Sequence, residues 1–246
     1  MINLHVIGSS SRGNSYLLSS PKSTLILECG VRFSEIKKAL NYDLSPVAGC
    51  LVTHEHGDHS KSANDVASAG IDIYSSTGTL EALKLSGHRF HPVKSKQKFQ
   101  VGEFTVLPFD CKHDCAEPFG FLIQHPESGN ILFATDTYYI PYNFTGLNQI
   151  ICEVNYDEEI LDGNVFKGSV PEVIKNRVMK SHMELSTFKH FLSGTNLSGV
   201  ANIVMIHLSD GNSNASEFVK DIRNITGKSV FAATPGMNIN LSKTPF

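Results

Sequence analysis

Thr53-His54-Glu55-His56-Gly57-Asp58-His59 places three histidines and an aspartate within six positions. The run follows the short apolar stretch Gly49-Cys50-Leu51-Val52, which reads as a buried strand, so these side chains sit where a strand ends and a loop begins. In extended chain, residues two apart project to the same side, and His54 and His56 can grip one ion together. Gly57 lets the chain turn, so Asp58 and His59 can reach a second point close by. Imidazole mixed with carboxylate suits zinc, iron or manganese rather than calcium or magnesium. The His-Glu-x-x-His pattern of helical zinc proteases is absent, because its fifth position is Asp58.

The rest of the chain must fold to hold that loop. With 246 residues it is long enough for one large domain with a substantial core. Hydrophobic residues make up 41% and charged ones 18%, as in ordinary globular proteins. No apolar run reaches the roughly 20 residues of a membrane span, and Met1-Ile-Asn-Leu-His lacks the features of a signal peptide. Cys29, Cys50, Cys111, Cys115 and Cys152 are odd in number and scattered, which points to reduced thiols and a cytoplasmic protein. A net charge of −3 carries no global footprint for nucleic acid, though it leaves room for a local basic groove.

Strands are expected at 2–7, 16–18 and 25–27. The loop Gly8-Ser9-Ser10-Ser11-Arg12-Gly13-Asn14 is either a polar hairpin loop or a set of backbone N–H groups that, with Arg12, could face an anion. Ser34 reads as the N-cap of a helix with Ile36 and Leu40 inward, and 60–69 as another helix. A strand at 71–74 and a short helix at 79–85 follow. Lys94, Lys96 and Lys98 alternate, so in extended chain they form one basic stripe, either a solvated edge or a polyanion contact. Strands are expected at 99–101, 103–107, 119–123, 131–134 and 150–154. Cys111-Lys-His-Asp-Cys115 lacks the second cysteine pair of a zinc clip. A basic helix is expected over 171–180, carrying Lys175, Arg177 and Lys180, then a strand at 201–206. Asn214 and Glu217 form the capping pattern of a helix through Ile225, and short strands at 229–232 and 237–241 close the chain.

The His-x-His-x-Asp-His arrangement resembles the signature of the metallo-β-lactamase superfamily. Two further stretches are similar to its YycJ/WalJ-type, exonuclease-like branch. Gly8 to Asn14 matches Gly-Ser-Ser-x-Gly-Asn with one inserted position, and Glu153-Val-Asn155-Tyr156-Asp157 matches Glu-x-Asn-His-Asp except that Tyr156 replaces the histidine. The resemblance spans nearly the whole chain and implies a four-layer αββα sandwich of two similar halves, one domain over 1–246. It implies a two-metal centre, with His54, His56 and His113 on one ion, Asp58, His59 and His207 on the other, and Asp136 bridging. Zinc is the expected metal, with manganese and iron as alternatives. Glu28 stands where the family carries an aspartate and would orient a ligand histidine.

The branch implies a phosphodiesterase, a nuclease working from DNA ends with a metal-bound hydroxide as nucleophile. Asp58 would steer the nucleophile's proton, and His182 would contact the scissile phosphate or protonate the leaving oxygen. Ser9, Ser10, Asn14, Asn155, Lys175 and Arg177 would contact phosphates. The alternative is a small-molecule metallohydrolase, a thioesterase or cyclic-nucleotide phosphodiesterase. Neither membrane attachment nor an obligate protein partner is expected.

Overall fold

Alternation along the central strands decides the layering. In the computed structural model, which describes residues 1–243, strands β1 (Asn3–Gly8), β2 (Ser15–Ser19), β3 (Thr24–Leu27), β4 (Val47–Leu51), β5 (Ile73–Ser76) and β6 (Phe90–Val93) lie side by side in chain order. A second sheet holds β7 (Phe99–Val101), β8 (Phe104–Asp110), β9 (Phe119–His125), β10 (Gly129–Ala134), β11 (Leu147–Glu153), β12 (Asn202–Ile206) and β13 (Ser229–Ala232). The last strand, β14 (Asn238–Asn240), returns to pair antiparallel with β1 in the first sheet.

Each sheet starts antiparallel and continues parallel. The switch comes at β3 in the first, where β3 to β6 are parallel, and at β10 in the second, where β10 to β13 are parallel. Odd and even residues of the switch strands enter different cores. Leu25, Leu27, Ile131, Phe133, Ile151 and Val204 meet between the sheets. Ile26 and Cys50 turn to the opposite face of the first sheet, where Ile36, Ala63 and Val66 cover them. Leu132, Ile150, Cys152 and Met205 turn to the opposite face of the second sheet, under Phe188, Leu192, Phe218 and Ile222. Each such fully buried side chain contributes roughly 1.5–3 kcal/mol, and strands apolar on both faces are what helix-covered parallel sheets require. The architecture is the expected αββα sandwich.

The helices are α1 (Phe33–Ala39), α2 (Gly57–Ser60), α3 (Ala63–Ser68), α4 (Thr77–Ala82), α5 (Glu158–Phe166), α6 (Glu172–Ser181), α7 (Leu185–Ser193) and α8 (Ala215–Thr226). Asn214 caps α8, accepting from the Glu217 N–H, and Gly227 ends it at φ 66°, a left-handed cap that suits glycine. Several expectations need correction. Arg32, not Ser34, precedes α1, with no side-chain cap. The helix expected over 60–69 breaks in two, because Asp58 and His59 already sit in the single turn of α2. Helices α5 and α7 are additional to the expected elements: α5 has only a weak apolar period, α7 buries Leu185, Phe188 and Leu192 along one face, and Asp157 and Glu184 cap them with side-chain carboxylates. Lys94, Lys96 and Lys98 form no extended stripe, since they lie in the turn between β6 and β7 with Lys96 at φ 63°. No helix among the described residues is long and apolar enough to cross a membrane.

Candidate metal centre

In parallel sheets, ligand sites form beyond the carboxyl ends of the strands. Here the carboxyl ends of β3, β4, β10, β11 and β12 deliver Glu28, the 53–59 loop, Asp136, Glu153 and His207 to one edge. Glu28, Asp136 and His207 are non-glycine residues at φ 64°, 45° and 52°. Left-handed backbone costs such residues about 1 kcal/mol or more each. The kink turns each side chain out of its strand and toward the common edge, and all three are buried.

Asp136 is the centre of the cluster. Its Oδ1 lies 3.2 Å from both His59 Nε2 and His207 Nδ1, while Oδ2 lies 3.5 Å from His113 Nε2 and 3.8 Å from His54 Nε2. One carboxylate thus faces two histidine sets with different oxygens. Donor atoms of His54, His56, His113 and Asp136 gather within 4.8 Å of one another, as do those of Asp58, His59, Asp136 and His207. All seven residues expected as ligands are therefore brought together. A third group, Asp136, Glu153, His182 and His207, overlaps them. The cysteines of Cys111-Lys-His-Asp-Cys115 belong to none of these groups; Cys111 packs into the core under the second sheet.

The other nitrogen of three of the rings is anchored. His113 Nδ1 donates to the Ser181 carbonyl at 2.7 Å, and His207 Nδ1 donates to Glu153 Oε1 at 2.9 Å. Thr53 Oγ1 is 2.9 Å from His54 Nδ1. Glu28 accepts from the Thr53 N–H at 3.0 Å and stands 3.2 Å from His59 Nδ1, close but off the hydrogen-bonding direction. A neutral ring that donates through Nδ1 presents a bare lone pair at Nε2. His113 Nε2 then points at His56 Nδ1, 3.1 Å away. The Nε2 atoms of His54 and His207 are buried without any hydrogen-bond partner. Orphaned, converging nitrogens of this kind are costly alone and are satisfied by a cation. The residues present fit divalent metal.

Burial and neighbours set the charge of the rings. Burial resists protonation of His59, yet Asp136, Asp58 and Glu28 outweigh it and lift its pKa well above the usual value. His207 is equally buried, and Asp136, Asp58 and Glu153 raise it to about 10. His54 moves the other way, held well below the usual value by burial and by neighbouring histidines. In the metal-free protein, stability from His207 is present below its unfolded value of about 6.5 and is lost as pH climbs through about 10. A cation must displace these protons, so metal uptake near neutral pH is expected to release protons and its apparent affinity to rise with pH. Calorimetry in buffers of different ionisation enthalpy measures the release. An affinity that stays flat from about pH 6 to about pH 9 would contradict this assignment.

Glu28 tests the anchoring separately. Its arm spans from the Thr53 N–H to His59. Glu28→Asp withdraws the carboxylate by one methylene and is expected to weaken metal binding about 10- to 100-fold. Competition against a chromophoric chelator reads this directly, and unchanged affinity would remove Glu28 from the site.

Several residues expected to touch substrate are placed otherwise. Asn14 is fully buried; its amide reaches the Asp58 carbonyl at 3.3 Å and His59 Nε2 at 3.1 Å. Asn155 is nearly as buried and donates to the His207 carbonyl at 2.8 Å. Ser9 Oγ accepts from the His207 N–H at 3.0 Å and from the Tyr16 hydroxyl at 2.9 Å. These three brace the cluster, Asn14 and Asn155 from buried positions and Ser9 from a half-exposed one. Ser9 and Ser10 border a neighbouring cavity of about 580 Å³, whereas Ser11 lines the 240 Å³ cavity over the cluster. Lys175 is turned away and paired with Asp162 at 2.7 Å. Ile174, Arg177, Val178 and Ser181 form the face of α6 that lines the cavity, and residues two apart on a helix do not share a face. Arg177 is at the rim, bound to Asp114 at 2.9 Å.

Glu153 is the residue that sequence reasoning missed. It is fully buried, and its Oε1 also accepts from His182 Nδ1 at 2.6 Å. Its Oε2 accepts from the Thr137 and Met183 N–H groups at 3.0 and 3.2 Å. The signal was present, an acid directly after the apolar run Ile150-Ile151-Cys152.

An αββα sandwich with a histidine–carboxylate cluster at the shared sheet edge defines a metallo-β-lactamase-fold hydrolase. Residues 26–208 match the family described as Beta-lactamase superfamily domain, and the chain belongs to that superfamily. It is 27% identical to exodeoxyribonuclease YycJ of Bacillus anthracis, over 72% of this chain and 70% of the relative. It is likewise 27% identical to exodeoxyribonuclease WalJ of Streptococcus pneumoniae serotype 2, over 74% and 71% respectively. Among solved structures, the metallo-β-lactamase fold protein YhfI from Bacillus subtilis superposes with a TM-score of 0.75 at 16% identity, covering 98% of this chain and all of that one.

Proposed function

We propose that the protein is a two-metal phosphodiesterase that removes nucleotides from DNA ends, acting as a single domain. One observation carries this reading: the seven-residue cluster arranged about Asp136 lies in a chain similar over 72% of its length to an exodeoxyribonuclease. His54, His56 and His113 would hold one ion, Asp58, His59 and His207 the other, and Asp136 would hold both. Zinc suits this mixed set best, with manganese or iron as substitutes. Such ions, when bound, would supply an acidified water nucleophile and offset the negative charge that develops on the phosphoryl and leaving oxygens.

The chain's own groups supply the rest. Burial works against charge on His182, and Glu153 outweighs it, so its pKa rises above the ordinary histidine value. With Nδ1 held by Glu153, its other nitrogen is free to protonate the leaving oxygen. Asp58, half-buried and held low by His207 and His59, stays a carboxylate that can steer the nucleophile's proton. Arg177 and Ser11 stand at the cavity, placed to meet phosphate oxygens. Asn14, Asn155, Ser9 and Glu28 keep the histidines in position. Five free cysteines suit a reducing cytoplasm.

The second reading, a thioesterase or cyclic-nucleotide phosphodiesterase, draws on the modest 240 Å³ of the cavity over the cluster, room for a small ester. End-labelled single- and double-stranded DNA and RNA, incubated with zinc, manganese or magnesium, separate the two. A His56→Ala, Asp58→Ala double variant guards against contaminating nucleases. Cleavage by the native protein alone, falling steeply with salt, supports the nuclease. A preparation holding two metals that cleaves no polynucleotide would overturn it.

A further inference from the structure

Between the adjacent parallel strands β10 and β11, a crossover connection over residues 137–146 carries Tyr138, Tyr139, Tyr142 and Phe144. Thr137 pins its start. The Thr137 hydroxyl donates to the Tyr139 carbonyl at 2.9 Å and accepts from the Lys112 N–H at 2.9 Å, while the Tyr138 N–H donates to the Lys112 carbonyl at 3.1 Å. Tyr139 is thus three residues from Asp136, on the order of 10 Å of chain, and 52% exposed. It borders a groove of about 530 Å³ between this crossing and α7, whose walls include Tyr142, Phe191 and His190.

The groove is built rather than incidental. The Tyr142 hydroxyl donates to Asp110 at 3.0 Å, and its ring meets Phe109 edge-on at 5.7 Å. Lys96 Nζ lies 5.6 Å from the centre of the Tyr142 ring. Lys94, Lys96 and Lys98 share one exposed turn, and Lys112 is exposed beside the anchored start of the crossing. Among the described residues, lysine salt bridges involve Lys22, Lys175 and Lys189, so these four cations have no acidic partner. The catalytic cluster makes no use of them.

We propose that this groove receives the unpaired strand of a DNA substrate on its way to the metal centre. Aromatic faces stack on bases of any sequence, and a cationic rim meets the phosphates between them. An apolar peptide would leave the lysines unmet, and duplex bases are already stacked on each other. The inference rests on the DNA phosphodiesterase reading and names its substrate as single-stranded at the point of entry.

The test uses the metal-loaded enzyme and a fluorescent, phosphorothioate-linked oligodeoxynucleotide, followed by anisotropy. Tyr139→Ala and Lys96→Glu are each expected to weaken single-strand binding about tenfold or more. Tyr139→Phe keeps the ring and should bind like the native protein. All three should hydrolyse bis(4-nitrophenyl) phosphate, which is too small to reach the groove, at the native rate. Native binding by Tyr139→Ala and Lys96→Glu overturns the proposal, as does an equal loss on duplex DNA. A native enzyme that degrades DNA while those variants bind normally discards the groove alone. One that hydrolyses the small ester but neither binds nor cleaves DNA discards the nuclease reading as well.

Discussion

Asp136→Asn is expected to abolish metal loading at both positions and to reduce hydrolysis by about 100-fold or more, a floor taken from the effect of outlying partners. The substitution keeps the shape of the side chain and removes only its charge. Asp136 belongs to all three groups of potential ligands, and each of its oxygens faces a different pair of histidines. Burial alone would favour its protonated form, but His207 and His59 reverse this and hold its pKa well below the usual carboxylate range. Because the folded pKa is depressed, its contribution to stability is present above the unfolded value of about 3.9 and lost only in stronger acid. The Asn variant should therefore lack that acid-sensitive component, besides losing metal. Elemental analysis of the purified variant checks the first expectation. Two bound ions per chain with native turnover would remove Asp136 from the centre.

Gly30→Ala should have the largest effect of any single-methyl change near the site. A Cβ there would lie 1.7 Å from the Asp58 carbonyl oxygen, 2.0 Å from its carbon and 2.6 Å from the His59 nitrogen. All three are backbone atoms, so no side-chain rotation relieves the clash. The same backbone is clamped from both sides. The Cys29 N–H donates to the His59 carbonyl at 2.8 Å, the Gly30 N–H to the Asn14 carbonyl at 2.9 Å, and the Asn14 N–H to the Asp58 carbonyl at 2.7 Å. Making room requires α2 to move away from the end of β3, carrying Asp58 and His59 with it. Overpacking of this kind costs about 3 kcal/mol or more, which for a chain of this size lowers Tm by roughly 6–12 °C. Displacement of the two side chains by about 1 Å can reduce turnover on the order of 100-fold. Thermal unfolding and metal stoichiometry measure both effects; a native melting curve with two ions bound would refute the packing argument.

These two positions differ in how far the sequence reveals them. Asp136 follows an apolar run at a strand end, and the central histidine motif gives it a reason to be there. Gly30 sits in a recognisable place, yet nothing local to it reports that the Asp58 backbone lies against its Cα. The same division holds for side chains. Asn14, Ser9 and Asn155 carry the groups of phosphate binders, but each spends its polar atoms on Asp58, His59 or His207, residues 44 to 198 positions away. Lys175 and Arg177 look like a basic pair in one dimension. On α6 they diverge, and only Arg177 reaches the rim of the cavity.

By itself, the sequence determined the strands other than β6 and the residues whose chemistry can bind metal. Apolar periodicity and ligand chemistry are properties of neighbouring residues, and burial on both faces of β10, β11 and β12 follows from their composition. Tertiary structure alone decided which nitrogen of His113 and of His207 is held, because the Ser181 carbonyl and Glu153 claim it from distant segments. It also decided that Glu153 joins the centre and that the lysine turn lies over Tyr142. Such pairings depend on how two sheets meet along one edge, and that meeting is set by the packing of the whole core between them.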